Sequence, residues 1–346
     1  MSRYAGRSKK VHDSSAKTGV LLTNLGTPDS PTPGALRRYL AEFLSDPRVV
    51  EIPRLLWLII LHGIILRVRP KKSAKLYQSI WTEEGSPLLV ISQQQKVKVE
   101  QILTEKYGDK VLVDVAMRYG TPSIAHALDN FQEQGVNNII VLPLYPQYGG
   151  PTTGSTFDAV FNKIKTWRWI PSIHFQSGYH DQPLYIKALA ASIGKHIAMN
   201  GKPDKLVFSY HGMPKYFLEQ GDPYYCFSHK TTRLVVEELG LSKDDYAMTF
   251  QSRFGKAEWL KPYTDETLAQ LAAEGNKHVA IISPAFSADC LETLEELVHE
   301  NREVFITAGG EQYHYIPALN DDDMHIAAMV DLIEPYINMC YWKPFS

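Results

Sequence analysis

A strand-like apolar run followed by a helix-like segment recurs along almost the whole chain, and this alternation restricts the fold more than any other feature. It opens with the run from Thr18 to Pro28 and a helix through Ala35 to Leu44. It returns at 111–119 with a helix from Ser123, at 138–145 with a helix from Thr156, and at 172–176 with a helix from Gln182. Strands at 205–210 and 247–251 precede helices from Cys226 and Asp265; 278–282 feeds the stretch 283–300, and 304–307 reads as a last strand before a helix at about 324–336. Such units bury parallel sheets under helices on both faces. A chain of 346 residues is long for one core. The expected fold class is therefore α/β, with two Rossmann-like, doubly wound parallel-sheet domains at 18–168 and 169–346, dividing near 165–172. Residues 1–17 read as a disordered basic tail with Arg3, Arg7, Lys9 and Lys10, and the last helix is free to pack back on the first domain.

The formal net charge of −2 leaves no basic field for a phosphate backbone, so no nucleic acid is expected as a partner. Cys226, Cys290 and Cys340 are odd in number and widely spaced, which suits a reducing compartment better than a disulfide framework. The first 17 residues lack the apolar stretch of a signal peptide, and the cytoplasm is the default location.

Residues 52–70 break the rhythm. The segment 55–66 is apolar over 12 residues except at His62 and Gly63, with Arg54, Arg67, Arg69, Lys71 and Lys72 at its flanks. A membrane-crossing helix needs about 20 apolar residues. Two readings stand: a buried core helix, or an exposed apolar lip whose basic flanks meet anionic lipid.

Two stretches carry chemistry. Phe208-Ser209-Tyr210-His211-Gly212-Met213-Pro214 places His211 at the carboxyl end of a parallel strand, the edge where ligands gather in open α/β sheets. The second is 283–300, in which Glu292, Glu296 and Glu300 fall four apart. Like charges at that spacing cost a solvated helix about 0.2–0.5 kcal/mol per pair. One reading makes Asp289 the helix cap and Glu292 the return arm of a capping box, with the other acids solvated. The other joins the row to His211 in one cleft, where a carboxylate raises the basicity of a histidine and further acids relay protons or hold a divalent transition metal in passing. Cys226-x-x-His229 lacks the second ligand pair of a structural zinc site. The run Gly149-Gly150-Pro151-Thr152-Thr153-Gly154-Ser155-Thr156 has Ser155 where a phosphate loop has lysine, and reads as a flexible cleft loop. Tyr145-Pro146-Gln147-Tyr148 and Trp259 add aromatic surface near strand ends, suited to core or to the wall of a flat apolar ligand.

In order along the chain, Asn24-Leu25-Gly26-Thr27-Pro28, Gly85-Ser86-Pro87, Tyr145-Pro146-Gln147-Tyr148, Ser209-Tyr210-His211-Gly212-Met213-Pro214, Gly221-Asp222-Pro223-Tyr224, Phe250-Gln251-Ser252-Arg253 with Trp259, and Asp289-Cys290-Leu291-Glu292 resemble the ferrochelatase family. The likeness runs from about Gly19 to Ile333. It implies insertion of ferrous iron into protoporphyrin IX, with the porphyrin in a cleft between two Rossmann-like domains. It implies that His211 accepts pyrrole protons or touches the metal and that Glu292 is its partner, both catalytic and metal-touching. Asp289, Glu296 and Glu300 would form the proton or metal path. Leu25, Arg118, Tyr119, Tyr148 and Trp259 would lie near the porphyrin, Tyr77 and Ser86 at a propionate. Residues 52–70 would be an apolar lip at the pocket mouth, giving peripheral contact with the inner face of the membrane.

Two departures from the family pattern stand out. Cys290 occupies the position where many relatives have histidine, and only Cys340 lies where some relatives hold an iron–sulfur cluster, so no cluster is expected. Coproporphyrin or another tetrapyrrole is the alternative substrate, and a tetrapyrrole-binding module without catalysis is the alternative class.

Overall fold

The computed structural model describes residues 4–6, 17–255 and 257–339, with the side chains of residues 338 and 339 left aside; most of the basic tail and Cys340 lie outside the described residues. Within the tail, Ala5 pairs with the 166–168 segment, its N–H donating to the Thr166 carbonyl (2.9 Å) and its carbonyl accepting from Arg168 N–H (2.8 Å).

Among the described residues, eight strands form two four-stranded sheets. The first contains β1 (Lys17–Thr27), β2 (Val111–Gly120), β3 (Val136–Pro143) and β4 (Ser172–Phe175) in the order β2-β1-β3-β4. The second contains β5 (Lys205–His211), β6 (Tyr246–Gln251), β7 (His278–Ile282) and β8 (Gln312–Ile316) in the order β6-β5-β7-β8. Every neighbouring pair is parallel. Parallel neighbours need crossover helices on the sheet faces, and the central strands carry near-continuous buried apolar runs, Val20-Leu21-Leu22 in β1 and Leu206-Val207-Phe208 in β5.

The chain divides into two compact units. The first comprises 1–144, 150–178 and 326 onward; the second comprises 145–149 and 179–325. The first has a core of Leu21, Leu128, Phe131, Ile139, Val141 and Val160. The second is built on Val207, Leu268, Val279, Ile281, Leu297 and Phe305. Each such side chain contributes about 1.5–3 kcal/mol on burial. In the first unit, Lys106 and Tyr107 hold Glu334 at 2.7 and 3.2 Å, and His174 stacks on Tyr336.

Three sequence expectations change. Residues 304–307 are helical, within Asn301–Thr307, and the last strand is Gln312–Ile316. The β-branched and aromatic run Val304-Phe305-Ile306 favours a strand locally, but Leu297 and Phe305 bury against the same core, and packing overrides propensity. The helix Pro87–Tyr107 has no counterpart in the alternation, because its buried positions include Ser92 and Gln95. Asn24 reaches Ser92 there at 3.3 Å.

Residues 54–80 are helical throughout, with a wide π-type turn at Leu61–Ile65. The turn holds one extra residue, which keeps Trp57, Leu61, Leu66 and Pro70 on one buried stripe. The Trp57 indole N–H donates to the Leu44 carbonyl (2.6 Å). On the opposite side Leu55, Ile59, Ile64 and Val68 are 62–77% exposed. The segment is thus core on one stripe and open apolar surface on the other, flanked by exposed Arg54, Arg67, Arg69, Lys71 and Lys72. Among the described residues no helix is long and apolar enough to cross a membrane.

Candidate active site

The last residue of β5 is His211. It is half-buried, and its Nδ1–H donates to the Gly212 carbonyl at 2.7 Å, which leaves the Nε2 lone pair available. Gly212 gives its N–H to the Gln251 carbonyl (2.8 Å); a Cβ at Gly212 would meet that oxygen at 2.6 Å and the Trp259 ring at 3.1 Å. Glycine is therefore required for the backbone of β6 to lie against the histidine turn. Phe286, in the loop after β7, sets its ring edge-on to His211 at 6.3 Å.

The acidic stretch leaves β7 as a short helix, Leu291–Leu294, followed by a π-type turn at Glu296–Glu300. Its N-cap is Cys290, which exchanges hydrogen bonds with Thr293, the Cys290 N–H donating to the Thr293 hydroxyl at 3.0 Å. The capping pair is therefore Cys290 and Thr293, and neither Asp289 nor Glu292 is spent on it. Burial, then the Glu292 charge, pushes the Cys290 thiol well above its ordinary value, so it is protonated.

Glu296 is held by three donors. Ser252 donates to it through its N–H (2.7 Å) and its hydroxyl, and the Gln251 amide donates at 3.1 Å. The same amide nitrogen donates to the Glu292 carbonyl at 2.8 Å, while Ser209 fixes its oxygen at 2.8 Å. Ser252 sits at φ 63°, in the left-handed region that costs a serine about 1 kcal/mol, offset by two bonds to one carboxylate. Burial raises the proton affinity of Glu296, opposed by Ser252 and, when its ring is protonated, by His211. Glu292 is half-buried and Glu300 exposed. Glu296 and Glu300 line an open pocket of about 730 Å³ with Ser252, Arg253, Asp265 and Glu303. Asp289 is buried, and its carboxylate accepts from Thr293 (2.9 Å), Tyr315 (2.6 Å), Asn320 (2.8 Å) and the Ala318 N–H (3.4 Å).

The first unit holds the other expected residues. Arg118 donates to Asp46 (2.5 Å) and to the Ser155 hydroxyl (2.6 Å); the Tyr119 hydroxyl donates to Asp46 at 2.9 Å, and Ser155 does so at 2.5 Å. Burial alone would raise the Asp46 carboxyl, but Ser155, the Arg48 N–H, Tyr119 and the Arg118 charge outweigh it and hold it down. Tyr119 has no exposed surface, whereas Arg118 keeps 17% of its side chain open. Ser86 and Tyr77 are buried, with Thr27 donating to Ser86 at 2.8 Å. Leu25 and Tyr148 are half-buried and Trp259 is buried. Residues 150–154, expected from sequence as a flexible cleft loop, are a helical turn, with Thr153, Ser155 and Thr156 fully buried. Gln251 and Ser252 were visible only as part of a motif; nothing local announces that they hold Glu296. Among the described residues no three His, Cys, Asp or Glu side chains are grouped so as to hold a metal ion.

A histidine and a strongly held acid stand at the carboxyl edge of a parallel sheet, in an α/β chain that repeats that sheet. SirB from Bacillus subtilis with Fe3+ has this fold, with a TM-score of 0.55, 12% identity, and coverage of 92% of this chain and 95% of that one. The sirohydrochlorin chelatase SirB from Bacillus subtilis subspecies spizizenii with cobalt is also similar, with a TM-score of 0.51, 9% identity, and 94% and 97% covered. The ferrochelatase family model matches residues 17–337. Ferrochelatase 2 of Shewanella oneidensis is 61% identical over 94% of this chain and 99% of its own length. Ferrochelatase of Pseudoalteromonas atlantica is 54% identical, with 99% and 94% covered. The chain belongs to the ferrochelatase family.

Proposed function

We propose that His211 accepts porphyrin protons and contacts the metal, that Glu292 is its partnering carboxylate, and that Glu296 and Glu300 carry protons or metal between the site and the pocket. The chain is a chelatase that inserts ferrous iron into protoporphyrin IX, giving protohaem, with iron as substrate. Insertion exchanges two inner N–H protons for one Fe2+, so each turnover needs acceptors for two protons. The observation that carries the reading is the end of β5 and β6. There a histidine with its Nδ1–H committed to Gly212 offers Nε2, and a carboxylate of raised proton affinity is held by Gln251 and Ser252 within the field of that histidine. Porphyrin contacts fall to Leu25, Tyr77, Ser86 and Arg118 in the first unit and Tyr148 and Trp259 in the second, and Tyr119 takes part indirectly, through Asp46 and Arg118. Asp289 holds the helix that bears Glu292.

The exposed apolar face of 54–80 and its basic rim support peripheral contact with anionic lipid at the inner face of the membrane, in the cytoplasm. The sequence has three cysteines, fewer than the four thiolates an iron–sulfur cluster takes, so no cluster is assigned.

An anaerobic assay with Fe2+ and protoporphyrin in detergent tests the site. Wild type turns over, and His211→Ala loses about 10²–10⁴-fold in kcat while still quenching in porphyrin binding. Turnover that survives the substitution removes His211 from the mechanism, and metallation of coproporphyrin alone replaces the substrate.

A further inference from the structure

We propose that Tyr315 and Asn320 are positioning residues for metal insertion: through Asp289 they fix the first helical turn, on which Glu292 stands. This rests on the role of Glu292 given above. Asp289 and Asn320 exchange hydrogen bonds, the Asp289 N–H donating to the Asn320 amide oxygen at 2.8 Å and the Asn320 amide nitrogen donating back to the carboxylate at 2.8 Å. Tyr315, from β8, donates to the other carboxylate oxygen at 2.6 Å. Thr293 donates to that same oxygen at 2.9 Å and is the residue that closes the cap with Cys290. The helix start is thus tied to the end of β8 and the turn beyond it, 26 and 31 residues away in sequence.

Capping does not require this. Cys290 and Thr293 complete the cap between themselves. The further donors on Asp289 restrict where the turn sits, which a metal-handling carboxylate needs within a few tenths of an ångström.

The anchors are themselves fixed. Asn320 holds φ 49°, a left-handed conformation that asparagine tolerates better than most residues, and its carbonyl accepts from His325 Nδ1–H at 2.8 Å. His325 is fully buried, and burial takes it down to about 4, so it stays neutral and its bond does not change near pH 7. Burial, then the Asp289 charge, pushes the Tyr315 hydroxyl up, so it remains a donor.

The test combines Tyr315→Phe and Asn320→Gly, which keeps the left-handed backbone accessible, with Glu292→Gln. Each anchor variant is expected to lose about tenfold or more in kcat/KM for Fe2+ while the protoporphyrin Kd, read by fluorescence quenching, stays within about twofold. In the Glu292→Gln background the same substitutions are expected to add nothing, because their effect passes through Glu292. Losses that multiply with Glu292→Gln, or unchanged kcat/KM in both anchor variants, overturn the proposal. Should Asn320→Gly fail to fold, Tyr315→Phe, which removes one hydroxyl, decides alone. Glu292→Gln by itself reports separately on the underlying reading: wild-type turnover there sinks both, whereas its collapse beside intact anchor variants sinks only the anchors.

Discussion

The two sheets share one topology, and their registers superpose residue by residue. Met117 N–H donates to the Pro122 carbonyl (2.7 Å) beyond β2, and Phe250 N–H donates to the Pro262 carbonyl (2.8 Å) beyond β6. Asn24 faces Met117 and Tyr210 faces Phe250. With those pairs matched, Leu25 corresponds to His211, Gly26 to Gly212, Arg118 to Gln251 and Tyr119 to Ser252. Each third strand leads into a π-type turn, at Gly150–Gly154 and at Glu296–Glu300. Arg118 ties to Ser155 in one unit as Gln251 ties to Glu296 in the other.

The difference lies in what fills equivalent positions. The first unit has leucine at the register position matching His211 and closes its polar groups on Asp46, whose carboxylate is held down. The second has histidine there and an acid whose proton affinity is held up. One scaffold thus carries a saturated network in one unit and, in the function proposed above, proton exchange in the other, and the difference lies in the side chains at matching register positions.

The largest expected effect is His211→Leu, which gives the second unit the residue of the first. Loss of about 10²–10⁴-fold in iron insertion, equivalent to about 3–5 kcal/mol of barrier, is expected with porphyrin binding retained; a rate within tenfold of wild type would break the contrast. Next come the glycines. A Cβ at Gly26 would lie 1.8 Å from the Tyr119 carbonyl oxygen at φ +112°, against 2.6 Å from the Gln251 oxygen at Gly212. Gly26→Ala should cost about 3 kcal/mol or more and Gly212→Ala about 1–3 kcal/mol, measured by denaturant unfolding.

Asp46→Asn should cost about 2–3 kcal/mol at neutral pH, because Arg118 loses its charged partner. Here the units should differ in sign. Asp46 is depressed, so its contribution is present above the ordinary value of 3.8 and is lost as the pH falls through the folded value. Glu296 is raised, so the folded state favours its neutral form below the ordinary value of 4.5 and loses that advantage as the pH rises through the folded value. Below about pH 4, Asp46→Asn should therefore lose Tm against wild type as the pH rises, whereas above about pH 4.5 Glu296→Gln should gain Tm against wild type as the pH rises. Slopes of one sign would remove the distinction. The smallest effect on stability belongs to serine at Leu55, Ile59 and Val68, about 0.5 kcal/mol or less per site. Flotation with anionic liposomes should nonetheless fall, and unchanged flotation would remove lipid contact through this face.

Much of this was legible in local pattern. Strand-helix alternation established two parallel sheets, and a histidine closing an apolar strand was placed at the correct edge, because period and strand ends are properties of neighbours in sequence. The pattern misassigned 304–307 and overlooked 87–107, since one has strand-like residues packed as helix and the other buries serine and glutamine.

Tertiary structure alone decided the rest. It chose which face of 54–80 stays open, made Cys290 and Thr293 the cap, gave Glu296 to Gln251 and Ser252, and joined Asp289 to Tyr315 and Asn320. The bonds to Glu296 and Asp289 close over 26 to 45 residues and depend on strand order and register, which put distant side chains 2.6–3.1 Å apart while no short window of sequence records the approach.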